Sequence, residues 1–391
     1  MADEAERAFE AEQEVGRINA FFPILPRLGN RMAGSRPWEG LTLGLNLHLT
    51  TLTAVLLREL QLGGGTFVVS AANPATTDLR VVEMLRNQGI EVYTGGDMED
   101  RHAQVLMHKP QLIVDVGFHL IAKALELRST DAAELRGAIE LTASGITRLR
   151  THEGVHGPAP FPIVNINDGR LKNAVENRHG VGEAIWTAVS QLTGMYLAGR
   201  RLAVIGYGPV GKGLALHARA AGMNVEVIEQ DAVRQLFAHY DGFPTPSLDS
   251  AMRRAGIVVT ATGRTNVLRN DMLAEARDNI VLVNAGTGGD EIDVAGIRKA
   301  AESVDNIAPQ VVRYRMANGR RVTVLADGHP LNIVLNSGSP EPVLLHFTVL
   351  GLALERLASQ SNFANGEVRV PDEIERAAAL FALESLNLSS I

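Results

Sequence analysis

Short apolar runs alternate with amphipathic stretches along most of the chain, and the runs end at small or polar residues. After an acidic start that we expect to be helical, helices are predicted near residues 51–60 and 78–87. Around them, strands are predicted at residues 41–47, 66–70, 90–93 and 111–116. Strands and helices that alternate at such short spacing are typical of a parallel sheet covered by helices. We therefore predict an α/β fold for the first third of the chain.

The middle of the chain repeats this pattern after a helical connection. A helical pattern over residues 132–150 precedes a short strand at 163–166 and a helix at 179–192, which we expect to act as a hinge. Further strands are predicted at residues 202–205, 224–228, 257–261, 280–284 and 321–326. A long apolar helix over residues 343–358 then returns the chain to the first domain. The pattern predicts two Rossmann-like, doubly wound parallel-sheet domains joined by hinge helices.

A glycine-rich turn follows the predicted strand that ends at Ile205. The residues predicted to bind a cofactor in this turn are Gly206, Gly208, Pro209, Val210 and Gly211. In dinucleotide-binding turns with this spacing, the first glycine allows a tight bend, the second admits a pyrophosphate, and the third lets the helix pack on the strand. Glu229 ends the next strand, 23 residues after the first glycine, near the roughly 20 expected for the carboxylate that binds the ribose 2′-hydroxyl. Because a carboxylate there repels a 2′-phosphate, we predict NAD rather than NADP.

Composition narrows the class of protein further. A chain of 391 residues is long enough for two domains, and its net charge of −7 offers no basic surface for nucleic acid. It contains no cysteine, which excludes disulfides, a thiol nucleophile and cysteine metal sites, and no metal site is predicted. We find no signal peptide and no apolar run approaching the ~18 residues of a membrane span. We therefore expect a cytoplasmic protein with a small-molecule substrate.

Both halves together resemble the S-adenosylhomocysteine hydrolase (adenosylhomocysteinase) family, over about residues 31–359. The motifs that carry this resemblance are the glycine turn, Leu47-His48-Leu49-Thr50, Asn73-Pro74 with Thr76-Thr77-Asp78, Ile166-Asn167-Asp168 with Lys172 and Glu176-Asn177, and Pro309-Gln310-Val311 with Asn318-Gly319-Arg320-Arg321. The resemblance implies a substrate-binding domain of residues 1–180 and 341–391 and an NAD-binding Rossmann domain of residues 181–340. It also implies redox-neutral chemistry on a nucleoside: oxidation at C3′ by NAD, loss of the C4′ proton, elimination at C5′, and return of the hydride.

The resemblance also assigns roles to individual residues. Lys172 matches the family lysine that accepts the 3′-hydroxyl proton. A lysine can act as such a base when burial lowers its pKa towards neutrality. The implied catalytic residues are His48, Lys172, Glu176, which replaces an aspartate, and Asn177. The implied substrate contacts are Thr50, Asn73, Asp115, Thr142, Asn167 and Ser339. The implied contacts of the nicotinamide are Thr262, Asn284 and Asn332.

Five ionisable side chains of the family are missing from this chain. Val116 replaces an aspartate, Leu141 replaces the glutamate that holds the ribose hydroxyls, and Leu52 replaces a glutamate that contacts adenine. Thr287 and Ser339 stand where the family has histidines. The resemblance implies a tetramer in which a C-terminal tail reaches the cofactor of a neighbouring subunit, but we find no match to that tail in this sequence. We therefore expect a homo-oligomer, either a dimer or a tetramer, with a looser assembly and less tightly held NAD.

These losses leave three functions open. The first is a divergent enzyme that keeps C3′ oxidation but acts on another nucleoside, for example as a dehydratase or an epimerase of specialised metabolism. The second is a genuine S-adenosylhomocysteine hydrolase with substituted proton relays. The third is a catalytically inert regulator that binds NAD or a nucleoside. The intact cofactor turn and Lys172, beside a rebuilt substrate pocket, favour the first.

Overall fold

The computed structural model describes residues 2–131, 135–287, 290–359 and 363–386. It divides into two compact units, Met1–Asn173 with Pro340–Ile391 and Ala174–Ser339. Each unit is built around a seven-stranded sheet covered by helices. The predicted α/β class with two Rossmann-like sheets is confirmed.

The strands alternate with helices in both units. The strands are β1 (Thr42–Leu47), β2 (Thr66–Ala71), β3 (Glu91–Tyr93), β4 (Leu112–Asp115), β5 (Gly137–Glu140), β6 (Pro162–Asn165), β7 (Arg201–Ile205), β8 (Asn224–Ile228), β9 (Ile257–Thr260), β10 (Ile280–Asn284), β11 (Ala301–Ala308), β12 (Val311–Met316), β13 (Arg321–Leu325) and β14 (Gly366–Arg369). The α-helices are α1 (Ala2–Phe21), α2 (Ile24–Ser35), α3 (Thr51–Gln61), α4 (Leu79–Asn87), α5 (Met98–Met107), α6 (His119–Asp131), α7 (Ala143–His156), α8 (Val181–Thr193), α9 (Pro209–Ala220), α10 (Ala232–Tyr240), α11 (Leu248–Met252), α12 (Val294–Ala300), α13 (Leu331–Val334), α14 (Glu341–Ala358) and α15 (Asp372–Ser385). A π-helix, Lys172–Gly180, precedes α8.

The sheet of the first unit is parallel throughout, in the order β14-β6-β5-β4-β1-β2-β3. Strand order reverses between β1 and β4, whose carboxyl ends therefore flank a crevice. Ligands of open α/β sheets bind in such crevices. His48 directly follows β1, so the chain places it at this switch point.

One predicted helix of the first unit is wrong. Residues 132–150 were expected to be helical, but β5 occupies Gly137–Glu140 and α7 begins at Ala143. The first three residues of that stretch lie outside the described part of the chain. Every residue of β5 is buried, and β5 pairs with β4 and β6. A short, fully buried parallel strand has no alternation of apolar and polar positions, so its periodicity does not distinguish it from a buried helix.

The sheet of the second unit has the order β11-β12-β13-β10-β9-β7-β8. Its strand order reverses between β7 and β9, and the glycine turn follows β7. The edge strand β11 and its neighbour β12 form an antiparallel hairpin that was not predicted from the sequence, and β12 also pairs antiparallel with β13. Gln310, with a φ of +63°, lies in the turn of this hairpin. The hairpin extends the parallel sheet away from the switch point.

None of the helices in the described residues combines the length and apolar character that crossing a membrane requires. Within the same residues, no three His, Cys, Asp or Glu side chains are grouped so that they could hold a metal ion.

We expect a buried histidine of the first unit to make the protein less stable in acid. His102 in α5 is fully buried and stacks on His119, with 6.3 Å between the ring centroids. Burial, helped by the charges of His119 and Arg101, lowers the pKa of His102 from 6.5 to about 4. Between these two pKa values only the unfolded chain binds the proton, so stability is lost as pH falls from about 6.5 towards 4. At about pH 5, roughly 1.5 units below the ordinary pKa, we expect this group to have cost about 2 kcal/mol of stability.

Urea unfolding at neutral pH and at about pH 5 measures this effect. The His102→Leu variant should show a smaller loss of stability on acidification than the parent protein. His239→Leu, at an exposed histidine of α10, is the matched control and should keep the parent's pH dependence. Equal pH dependence in the parent and His102→Leu would contradict the prediction.

Candidate active site

The glycine turn closes tightly over the switch point of the second sheet. Gly206 has a φ of +99°, and a Cβ there would lie 2.6 Å from the carbonyl oxygen of Ala261, which follows β9. A side chain at this position is excluded by both conformation and space. A Cβ on Gly211 would lie 1.9 Å from the Gly206 carbonyl oxygen, so α9 packs directly against the turn.

Gly208 borders open space instead. The one described atom within 4 Å of a Cβ built there is Nη1 of Arg234, at 3.8 Å. Gly208 is the N-cap of α9, and Pro209 and Val210 begin its first turn. The first N–H groups of a helix have no partner within the helix and favour anions. The open space at this helix N-terminus fits the pyrophosphate of NAD.

Glu229 connects the end of β8 to the glycine turn. Its Oε2 accepts a hydrogen bond from the backbone N–H of Tyr207 at 2.7 Å. Its Oε1 accepts from the N–H groups of Gln230 and Asp231, at 2.7 and 3.0 Å. A carboxylate accepts up to about four hydrogen bonds, so Glu229 keeps capacity for a ribose hydroxyl.

Asn332 in α13 presents a further feature that fits the cofactor. Its Oδ1 atom is buried and has no hydrogen-bond partner among the residues that the structure describes. A buried acceptor without a donor is costly. The nicotinamide carboxamide carries an NH₂ group, which would satisfy this oxygen.

Thr262 and Asn284 lie where β9 and β10 end, and both are held by the protein. Asn284 donates from Nδ2 to the Gly328 carbonyl at 2.8 Å and accepts at Oδ1 from the Gly286 N–H at 2.8 Å. The Thr262 hydroxyl donates to Oε2 of Glu291 at 3.0 Å. Their contacts with the nicotinamide stay predictions.

Glu291 is a fully buried carboxylate that the sequence analysis did not identify. Besides the Thr262 hydroxyl, it accepts the backbone N–H groups of Thr262 at 3.0 Å and Gly263 at 2.7 Å. Burial raises its pKa, while these hydrogen bonds act to lower it. Glu291 thereby fixes the loop after β9, whose Ala261 contacts the glycine turn.

His48 is the polar residue at the switch point of the first sheet. Its Nδ1 lies 2.7 Å from Oγ1 of Thr76, and its Nε2 is buried without a hydrogen-bond partner among the described residues. Burial lowers its pKa from 6.5 to about 4, so the ring is neutral at physiological pH. Thr50 is the N-cap of α3, and Asn73 caps the short 3-10 turn that contains Thr76. The structure therefore brings His48 and Asn73 together through Thr76.

Asp115 and Thr142 are linked through a second unpredicted carboxylate, Glu140. The Thr142 hydroxyl donates to Glu140 at 2.7 Å, and Glu140 also accepts the N–H groups of Gly117 and Phe118 at 3.0 and 2.8 Å. Asp115 is fully buried and accepts from the Asn46 side chain at 2.8 Å and from the N–H of Ile121 at 2.9 Å. Burial raises the pKa of both carboxyl groups, and the charge of Asp115 adds to the shift at Glu140.

The two carboxyl groups end adjacent strands, because Asp115 and Glu140 are paired in the register of β4 and β5. They stabilise the loops that follow these strands. Their hydrogen bonds are with the protein itself, so the substrate contacts expected of Asp115 and Thr142 stay predictions.

Lys172 begins the π-helix and belongs to the first unit. Burial lowers its pKa from 10.5 to about 7. Lys172 is half-buried, whereas His346 of α14 is buried. Burial and the charge of Lys172 both lower the pKa of His346 well below the usual value. Asn167, nearby in the chain, is buried and donates to Asp168 at 2.8 Å. A buried amine with a pKa near neutrality is suited to accept a proton.

The remaining predicted residues lie in the second unit. Glu176 and Asn177 are buried in the π-helix. Ser339 ends the unit, where its N–H donates to Glu183 at 3.0 Å. π-Helices are rare, and they frequently occur at functional sites.

Comparison with known proteins tests the cofactor domain and the whole chain. Residues 177–338 match the family model described as "S-adenosyl-L-homocysteine hydrolase, NAD binding domain". An S-inosyl-L-homocysteine hydrolase from Methanopyrus kandleri is 34% identical, over 94% of this chain and 88% of its own. An adenosylhomocysteinase from Thermococcus kodakarensis is 32% identical, over 96% and 91%. The chain belongs to the S-adenosylhomocysteine hydrolase family. NAD is therefore confirmed as the cofactor of this family member.

A solved structure of another protein supports the α/β fold of this S-adenosylhomocysteine hydrolase family member. A dipicolinate synthase chain from Bacillus halodurans superimposes with a TM-score of 0.50 and 12% identity, covering 83% of this chain and 99% of its own. At this identity the likeness concerns the fold alone.

Sequence reasoning missed three groups in this S-adenosylhomocysteine hydrolase family member: Glu140, Glu291 and His346. A Cβ on Gly286 would lie 1.8 Å from Oε1 of Glu291, so the structure explains why a glycine stands there, but the sequence alone carries no signal for this contact. Among the replaced family positions, Leu141 is buried, while Leu52 and Val116 are half-buried. Hydrophobic side chains therefore stand at three positions where the resemblance implies carboxylates.

Replacing Glu291 with glutamine is expected to weaken NAD binding about tenfold or more in this family member. The glutamine NH₂ group would face backbone N–H donors, leaving the Thr262 or Gly263 amide without an acceptor and the loop displaced. Titration of NAD by calorimetry measures the change. Glu302→Gln, on the exposed strand β11 of the same unit, is the control, and equal affinities for both variants would contradict the assignment.

Proposed function

We propose that this protein is an NAD-dependent, redox-neutral enzyme that acts on an adenosine-like nucleoside. The reaction begins with C3′ oxidation and C4′ deprotonation. Elimination at C5′ follows in a nucleoside dehydratase, and reprotonation of the sugar carbon follows in an epimerase of specialised metabolism. The observation that carries the proposal is the half-buried Lys172, whose pKa is lowered to about 7 by burial, in a chain whose second unit holds the family's intact glycine turn.

Each unit supplies a different part of this chemistry. In the second unit, Glu229 and the glycine turn would hold the adenosine half of NAD, and Asn332 would hold the carboxamide. NAD bound there would supply the acceptor, and later the donor, of the C3′ hydride. In the first unit, neutral Lys172 accepts the proton of the 3′-hydroxyl, and oxidation at C3′ acidifies the C4′ proton next to the new carbonyl.

The rebuilt substrate residues favour a reaction other than thioether hydrolysis. Val116, Leu141 and Leu52 supply no proton donor or acceptor where the family has carboxylates. A positioned acid or base typically contributes about 10²–10⁴-fold to a rate. Homocysteine elimination and water addition through the family's relays would therefore be slow in this chain.

The alternative function is a genuine S-adenosylhomocysteine hydrolase that gives adenosine and homocysteine. It is favoured by the names of the relatives, which match over more than nine-tenths of this chain. One relative is named for an inosyl substrate. Because Leu52 has no acceptor for an adenine amino group, both adenine and hypoxanthine nucleosides are candidate substrates.

Incubation of the NAD-loaded protein in deuterated water separates the two functions. Adenosine, inosine and their S-homocysteine conjugates are supplied in turn, C4′ deuterium is followed by mass spectrometry, and released thiol is assayed. Exchange at C4′ without thiol release supports the proposal, whereas rapid thiol release from a conjugate supports the alternative. Neither exchange nor thiol release with these nucleosides would contradict both functions.

Three properties accompany the proposed enzyme. Its substrate is a small nucleoside bound by the first unit, it assembles as a homo-oligomer, and it works in the cytoplasm. Light scattering after size exclusion distinguishes a dimer or tetramer of the 42.0 kDa chain from a monomer.

A further inference from the structure

A chain of hydrogen bonds connects His48 to a backbone carbonyl. The Thr76 hydroxyl lies 2.7 Å from Nδ1 of His48 and donates to the Asn73 carbonyl oxygen at 2.9 Å. Thr76 is almost fully buried and ends the 3-10 turn that Asn73 caps. The side-chain oxygen of Asn73 accepts the N–H of Ala75 at 2.9 Å, which holds this turn in place.

The direction of the hydrogen bond at His48 follows from proton counting. A threonine hydroxyl has one proton, and a carbonyl oxygen only accepts. When the Thr76 hydroxyl donates its proton to the Asn73 carbonyl oxygen, it has no proton left for His48. The contact between Thr76 and His48 is then a hydrogen bond only if Nδ1 of His48 carries a proton and donates it to the Thr76 oxygen. A neutral imidazole carries one proton, so Nε2 then presents its lone pair.

The opposite arrangement makes fewer hydrogen bonds. If the Thr76 hydroxyl donated to Nδ1, its bond to the Asn73 carbonyl would be lost. The first arrangement makes two bonds and the second makes one, and each is worth about 1 kcal/mol. The Asn73 carbonyl also accepts from the Thr77 hydroxyl at 3.0 Å, which lessens the difference without reversing it.

We propose that Thr76 is a positioning residue that fixes His48 as the Nδ1–H tautomer and presents Nε2 as a proton acceptor at the switch point of the first sheet. Nε2 is buried and has no hydrogen-bond partner among the described residues. The group that it would meet is a hydroxyl or another donor of the bound nucleoside. This role in turnover rests on the proposed function, whereas the tautomer itself does not.

Solid-state NMR of protein labelled with ¹⁵N in histidine tests the tautomer without any substrate. His48→Gln assigns the His48 signals among the 11 histidines. We expect a protonated Nδ1 and an unprotonated Nε2 in the parent and in Thr76→Ser, and a shift towards the Nε2–H form in Thr76→Val. A parent His48 protonated at Nε2, or an unchanged tautomer in Thr76→Val, would overturn the proposal.

Kinetics with the best substrate of the nucleoside screen supply the second readout. Thr76→Val should lower kcat on the order of ten- to a hundredfold with little change in KM, and Thr76→Ser should restore most of it. In the same NMR spectra, unchanged signals of the other histidines of the first unit, among them His102, show that this unit is folded in the variants. An altered tautomer with unchanged kcat would overturn the role in turnover, and the absence of turnover in the parent would count against the proposed function alone.

Discussion

Replacing Lys172 with methionine is expected to lower the rate of nucleoside oxidation by about 10²–10⁴-fold. Methionine has similar length and suits the half-buried site, but it has no atom that accepts the 3′-hydroxyl proton. NAD affinity should not change, because the glycine turn is untouched. Nicotinamide absorbance in a single turnover measures the oxidation step separately from later steps.

The pH dependence of the parent protein tests the same assignment. Burial lowers the Lys172 pKa to about 7, and only the neutral amine accepts a proton, so the oxidation rate should rise with pH through about 7 and then level off. Lys299→Met, at an exposed lysine of α12, is the matched control and should keep the parent's rate. Lys172→Met with a parental rate and pH profile would exclude this lysine as the base.

Two glycines of the cofactor turn should separate folding from NAD binding. Gly211→Ala places a Cβ 1.9 Å from the Gly206 carbonyl oxygen, and overpacking of this kind costs about 1–3 kcal/mol. Gly208→Ala meets no described atom closer than 3.8 Å, so the protein without cofactor should stay as stable as the parent. Its methyl group enters the space assigned to the pyrophosphate, and NAD affinity should fall more than about tenfold.

Thermal unfolding without NAD and calorimetric titration with NAD test this pair. Gly211→Ala should lower the unfolding temperature, whereas Gly208→Ala should lower only the affinity. Unchanged NAD affinity in Gly208→Ala would show that the pyrophosphate does not bind beside this glycine.

The parts of the fold that sequence predicted best are those with local patterns. The glycine turn, the strands on either side of it and Glu229 are specified within some 30 consecutive residues, and periodicity plus glycine spacing was sufficient. Strand β5 was missed because full burial removes alternation. The hairpin of β11 and β12 was missed because its pairing with β13 depends on tertiary context.

In the candidate site too, residues in local motifs were predicted and residues that depend on tertiary contacts were not. His48 and Lys172 were identified because each lies in a recognisable motif, whereas their surroundings were not. Glu291 acts on a loop nearly 30 residues earlier, and Thr76 acts on a histidine 28 residues earlier. Such contacts depend on which strands become neighbours in the sheet, and the order of the strands cannot be deduced from a single sequence. The buried carboxylates Glu140 and Glu291 are explained by the backbone N–H groups that they accept, which no side-chain pattern reveals.

The first sheet is completed only after most of the chain has been synthesised. Its edge strand β14 pairs with β6, about 200 residues earlier in the chain, while the second unit is one continuous segment. Domains fold as units during synthesis, and contacts distant in sequence form late. On the ribosome, the cofactor-binding unit is therefore complete while the first unit still exposes the edge of β6. A stalled or truncated product should bind NAD and aggregate through that open edge.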